Sequence, residues 1–129
     1  MLLAYALATK FVFRQKLRLT GARLQDVVFL SWDESSNVTP VSRRDDTAQA
    51  AGCTHFISLH LNAGGGSGTD TFYRDEADEA FARGVHAGIA EALGFKDRCV
   101  HPESEIHVGR LAVLDFQRSA CLVELRFVD

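Results

Sequence analysis

Apolar positions along this chain follow two kinds of spacing, and their alternation predicts the elements. Residues 2–20 carry Leu3, Leu7, Phe11 and Leu17 at roughly helical intervals, and Gly21 follows as a stop. Residues 27–30, Val-Val-Phe-Leu, form a short unbroken apolar run that suits a strand covered on both faces. After a polar loop over 33–37, Thr39-Pro40 has the form of a cap followed by proline in the first turn, opening a helix that Gly52 closes. Residues 56–60, Phe-Ile-Ser-Leu-His, predict the next strand, which runs into a glycine-rich loop over 62–68. The β-prone stretch 69–73 predicts a third strand. The clearest helical period spans 76–93, with Ala77, Phe81, Val85, Ile89 and Ala92 along one side and Gly94 just past the end. Residues 95–110 show no period and are expected to be irregular, whereas 111–114 and 120–127 predict the last two strands.

Helices alternating with buried strands predict an α/β layer structure, with a mostly parallel (mixed) sheet and helices on both faces. Sites in such sheets gather at the carboxyl ends of the strands. His60 with its glycine loop, and the end of the last strand, fall where chemistry is expected.

Composition narrows this only a little. A chain of 129 residues with 47% apolar and 24% charged residues fits one domain with a core of moderate size. A net charge of −3 gives no argument for a nucleic-acid surface, and no nucleic-acid partner is expected. The opening MLLAYALATKFVF lacks an early basic cluster and a small-residue cleavage site, and Lys10 and Arg14 interrupt it. It therefore reads as an ordinary helix, with no export signal visible and no membrane span expected. Cys53, Cys99 and Cys121 are an odd number with no C-x-x-C spacing, so free thiols are expected, with Cys121 the most buried.

Two residues stand out chemically. His60 ends an apolar strand, where a sheet can fix a ring nitrogen toward a metal, although a lone histidine is more often a packed or surface residue. Glu124 interrupts an otherwise apolar strand. A desolvated carboxylate there would suit a general base, while a salt bridge to Arg118 or Arg126 would explain it equally well.

The segment Arg44 to Ala63 contains Phe56-Ile57-Ser58-Leu59-His60-Leu61-Asn62-Ala63 after a helix ending in Ala-Gly. It resembles the middle of the zinc-dependent N-acetylmuramoyl-L-alanine amidases of the amidase_3 type, whose strand there reads Phe-Ile-Ser-x-His-x-Asn-Ala. Phe72-Tyr73 after the glycine loop resembles the following strand of that family. Leu111-Ala112-Val113-Leu114 and Cys121-Leu122-Val123-Glu124-Leu125-Arg126-Phe127 resemble its closing segments, where Val-Glu-x-Gly-Phe is usual. The resemblance is collinear over about residues 22–128. It implies cleavage of the amide between N-acetylmuramic acid and the L-alanine of the stem peptide of peptidoglycan, by a zinc-activated water. Carried over by position, His60 is implied as a zinc ligand, Glu124 as the catalytic glutamate and Asn62 as a substrate contact. The implied place of action is the bacterial cell wall, periplasmic or extracellular, as an autolysin or an endolysin.

The chain departs from the family pattern in several places. The Gly-His-Gly strand and the glutamate that supply the other zinc ligands have no counterpart, nor does the final helix, so the domain is expected to be truncated at both ends, lacking the first strand and last helix. Arg126 replaces the usual glycine, and Ser31-Trp32 stands where Thr-Arg is common. On this basis zinc is expected to bind this chain weakly or not at all. A catalytically dead amidase-like module that binds cell wall or a partner protein is the alternative function. His55, five residues before His60, is expected to face the other side of the sheet; His86 is expected to be exposed, and His101 and His107 to be free to approach the site. An uncovered sheet edge makes either a homodimer or marginal stability the expectation.

Overall fold

The computed structural model describes residues 43–50, 52–107 and 109–128. The helix expected over 2–20, the strand over 27–30, the loop over 33–37 and the Thr39-Pro40 start of the next helix lie outside the described residues. The later part of that last helix is described, with Gly52 after it donating its N–H to the Gln49 carbonyl.

The described chain runs α1 (Arg44–Ala50), β1 (His55–Ala63), β2 (Thr69–Tyr73), α2 (Glu76–Leu93), β3 (Asp97–Pro102) and β4 (Ser119–Val128), with short 3-10 turns at Glu103–Glu105 and Ala112–Leu114. Two sequence expectations change here. Where the sequence predicts a strand over 111–114, residues 112–114 form a 3-10 turn, and a strand, β3, lies inside the stretch expected to be irregular. Three apolar residues in a row cannot distinguish a buried strand from a buried turn. Asp97, Arg98 and Cys99 are exposed, so β3 shows no apolar alternation to read.

The strands form one mixed sheet in the order β1-β4-β2-β3. β1 and β4 are parallel, β2 and β3 are parallel, and β2 meets β4 antiparallel. Because β4 lies between two neighbours with a core on each face, Ala120, Cys121, Leu122 and Val123 are all buried. This is the physical reason for its unbroken apolar run. β2 is also an inner strand, yet it buries Thr69, Asp70 and Thr71 in succession. Each has a partner: Thr69 Oγ1 donates to the Leu125 carbonyl (2.9 Å), Thr71 Oγ1 lies 2.9 Å from His86 Nδ1, and Asp70 accepts from Arg98. Polar residues are tolerated at such depth only when paired in this way.

Helices cover both faces, as expected. Below α1 and the second 3-10 turn, Ala48, Phe56, Val113, Leu114, Phe116 and Leu122 make one core; below α2, Ala82, Cys121 and Val123 are enclosed by Phe81, Val85 and Ile89. Acidic Glu76, Asp78 and Glu79 in the first turn of α2 complement its dipole, and Gly94 closes it in the left-handed region (φ 64°), its N–H donating to Ala90. The inward stripe of α2 is rotated from the expected one: Ala77 and Ala92 are exposed, and Ala82 and His86 are buried. His86 is therefore not the surface residue that its place on a polar helix suggested. It links Thr71 on β2 to Asp97 on β3, its Nε2 standing 2.9 Å from Asp97 Oδ1. Among the described residues no helix is long and apolar enough to cross a membrane.

Candidate active site

Alternation along β1 turns Phe56 and Ser58 toward the core under α1, and His60 and Asn62 continue the same face toward the strand's carboxyl end. On the parallel neighbour, Leu122 and Glu124 do likewise. The register pairs Ser58 with Leu122 and His60 with Glu124. Partners in a ladder point to the same side, with strand axes about 4.8 Å apart, so the imidazole and the carboxylate emerge side by side. His55 lies on the other face, its ring 4.9 Å from that of Phe81 on α2, as the odd spacing from His60 predicts.

Beyond this pair the ladder slips: Asn62 pairs with Phe127, so β4 bulges by one residue after Glu124. The bulge decides where Arg126 goes. Its guanidinium lies 5.5 Å over the Phe95 ring and its Nε donates to the Phe127 carbonyl. It does not line the pocket at Glu124. Among the described residues neither Arg126 nor Arg118 forms an ion pair with Glu124; the Asn62 amide on the neighbouring strand favours its charged form instead.

A pocket of about 190 Å³ opens at this end of the sheet, lined by Asn62, Phe72, Ile106, His107, Leu111, Leu122 and Glu124. One wall comes from the loop after β3, held in place by Arg74 at the end of β2. Arg74 Nη1 donates to the Leu114 carbonyl and Nη2 to the Leu111 carbonyl, each at 2.7 Å, while the guanidinium also pairs with Glu103 and Asp115. Glu103 in turn accepts from the Leu111 N–H at 2.9 Å. This network brings Ile106, His107 and Leu111 over the sheet. His101, on β3, stands with its ring 5.9 Å from that of Phe72 and its Nε2 3.6 Å from Oδ1 of Asp70, the ladder partner of Glu124.

The environment separates the two ionisable groups. Burial, followed by the positive charge of Arg44, holds His60 below its ordinary value of 6.5. The ring is thereby kept neutral, with Ser58 Oγ 2.9 Å from Nε2. Burial raises Glu124 above its ordinary 4.5; the negative charge of Asp70 adds to this, and the Asn62 hydrogen bond and the Arg98 charge oppose it. Asp70 is the antiparallel partner of Glu124 and is almost fully buried. Sequence reasoning missed it, although the signal used for Glu124, a carboxylate interrupting a strand, applied equally to Asp70. Arg98 lay in the stretch without a period and carried no signal.

A catalytic zinc centre uses about three protein ligands and one open position. Among the described residues no three histidine, cysteine, aspartate or glutamate side chains gather to hold an ion. His60 and Glu124 do not make up that donor set by themselves.

The described architecture is thus a mixed α/β domain in which a histidine and a desolvated glutamate stand side by side on adjacent parallel strands, toward the carboxyl ends where sites in such sheets gather. Residues 4–129 match the N-acetylmuramoyl-L-alanine amidase family (Amidase_3), and the chain belongs to that family. Among solved structures it is similar to the catalytic domain of CwlV, an N-acetylmuramoyl-L-alanine amidase from Bacillus (Paenibacillus) polymyxa var. colistinus. The TM-score is 0.75 at 24% identity, over 96% of this chain and 66% of that one. It is also similar to the N-acetylmuramoyl-L-alanine amidase from Clostridium difficile 630 (TM-score 0.59, 22% identity, 70% of this chain, 50% of that one). The catalytic domain of the CD27L endolysin targeting Clostridia difficile gives a TM-score of 0.63 at 21% identity, over 96% of this chain and 67% of that one. At these identities the likeness establishes the fold. The chain spans between half and two thirds of the length of these three relatives. No curated protein sequence matches.

Proposed function

We propose that this chain carries the amide-cleaving face of a peptidoglycan hydrolase, which breaks the bond between N-acetylmuramic acid and the L-alanine of the stem peptide. One observation carries the reading: within the fold of amidase catalytic domains, the ladder between β1 and β4 pairs His60 with Glu124 on the face where the pocket opens. Glu124, desolvated and beside Asp70, retains a proton more readily than a solvated glutamate. That suits a group that takes a proton from the attacking water and returns it to the departing alanine nitrogen. Asn62, which lines the pocket with Glu124 and whose amide favours the charged carboxylate, contacts the substrate. His60, held neutral, is the residue through which zinc attaches. Binding is weak on this reading, because among the described residues one imidazole has no further donors gathered beside it.

That no three-ligand cluster forms among the described residues favours one second reading, an amidase-like module that holds cell wall or a partner without cleaving it. The two separate in one assay: purified sacculi incubated with the chain in excess zinc either release stem peptides with new amino termini or only retain the protein. On either reading the place of action is the bacterial cell wall; on the cleaving one the chain acts as an autolysin or an endolysin, with peptidoglycan rather than nucleic acid or membrane as its partner. Pairing of two copies through a sheet edge is part of this proposal, and a single monomer mass by light scattering would remove it.

A further inference from the structure

We propose that Arg98, on β3 and anchored through Asp70 on the intervening strand β2, is a receptor for a carboxylate on the peptide arm of the substrate; the proposal rests on the amidase reading above. Arg98 is held at three points. Its Nε donates to Asp70 Oδ2 at 2.6 Å, its guanidinium carbon lies 5.0 Å over the Phe127 ring, and its stem runs against the glycine loop. The last contact explains the loop composition. A Cβ on Gly68 would stand 2.8 Å from Arg98 Cγ, and one on Gly66 would stand 2.6 Å from the Phe127 ring. Only glycine lets the loop close over both side chains.

These contacts use Nε, the ring face and the methylenes, and they leave the Nη edge open. Among the described residues neither Nη has a hydrogen-bond partner, and the side chain is 40% exposed while its anchor Asp70 is 6% exposed. Asp70 is the antiparallel partner of Glu124, so the guanidinium it holds lies on the same face as Glu124, with Asp70 between them. A planar fork already immobilised loses little entropy on taking a carboxylate through two parallel N–H bonds. A stem peptide whose muramoyl end reaches Glu124 must extend away along the sheet. A carboxylate on the residue following its L-alanine is the chemistry that matches this fork.

The test compares two soluble probes, an N-acetylmuramoyl-L-alanyl peptide whose next residue is glutamate and its glutamine analogue. Binding is measured by calorimetry to the whole chain carrying Glu124→Gln, so that bound probe is not consumed. The acid form is expected to bind about tenfold tighter than the amide, a difference that Arg98→Gln abolishes and Arg98→Lys, which keeps the charge facing Asp70, retains in part. Equal binding of the two probes, or a preference that survives Arg98→Gln in a chain with unchanged circular dichroism, would overturn the role of Arg98 and leave the amidase reading standing. Failure of both probes to bind would overturn both.

Discussion

His60 and Glu124 are ladder partners on parallel strands β1 and β4, and so they leave the sheet on the same face although 64 positions separate them in the chain. The pairing brings a neutral imidazole and a proton-retaining carboxylate together without a loop having to fold back. If His60 is where zinc attaches, His60→Ala should lower bound zinc to background in equilibrium dialysis, while Ser58→Ala, which removes only the hydroxyl at Nε2, should weaken it by about tenfold. Equal zinc in the native chain and His60→Ala would remove this residue as a ligand.

The Arg74 network makes stability depend on acid. Burial works to raise Glu103, but hydrogen bonds from Arg74 and the Leu111 N–H, with the charge of Arg74, hold it below its ordinary 4.5. A carboxylate depressed in the folded state stabilises that state above its unfolded value and loses the contribution as pH falls through the folded one. Melting temperature should therefore fall as pH drops from about 5 to about 3, and Glu103→Gln should flatten that slope. At neutral pH the same variant should cost about 1–3 kcal/mol, because the bonds it breaks are charge-assisted. An unchanged slope would show that other carboxylates dominate.

The glycine loop gives a graded series. At Gly68 an added Cβ would meet the Lys96 carbonyl at 2.4 Å with φ at +116°; at Gly66 it meets only the Phe127 ring, without positive φ; at Gly64 it meets nothing, with φ at +115°. Alanine at 68 combines a backbone clash with left-handed strain and should be the most destabilising in urea unfolding. Alanine at 66 should cost about 1–3 kcal/mol and alanine at 64 about 1 kcal/mol. A series in which alanine at 68 is the mildest would contradict the loop geometry.

Thiol reactivity should follow burial. Cys99 is exposed, Cys53 intermediate, and Cys121 fully buried with its thiol pushed up to about 12, chiefly by desolvation and then by the charge of Asp78. Alkylation of the native chain at pH 8 should label Cys99 first and Cys121 only after denaturation, as read by peptide mass spectrometry.

Much of the fold was legible because its strongest signals were local. The period of 76–93 and the apolar run of 120–123 each report a single element with a well-defined buried face. The pairing of β1 with β4, by contrast, brings together residues remote in sequence, and only the family resemblance suggested that His60 and Glu124 belong to one site. His86 was misread because a histidine on a charged helix reveals neither of its partners, Thr71 and Asp97, which lie on two different strands. β3 was missed because exposed Asp97, Arg98 and Cys99 erase its alternation, and Cys99 at φ 86° bends the strand locally. Asp70 was the avoidable omission: its carboxylate sits in a β-prone run just as Glu124 does.

The account depends most on Glu124 as the proton-transferring group of an amidase. Purified sacculi should be incubated, in excess zinc, with the whole chain and with Glu124→Gln, and the soluble products analysed by mass spectrometry. The account predicts stem peptides bearing a free L-alanine amino terminus from the native chain. Glu124→Gln should lower their release by about 10²-fold or more while still binding the sacculi. Equal release from both proteins, or none from the native chain, would contradict it.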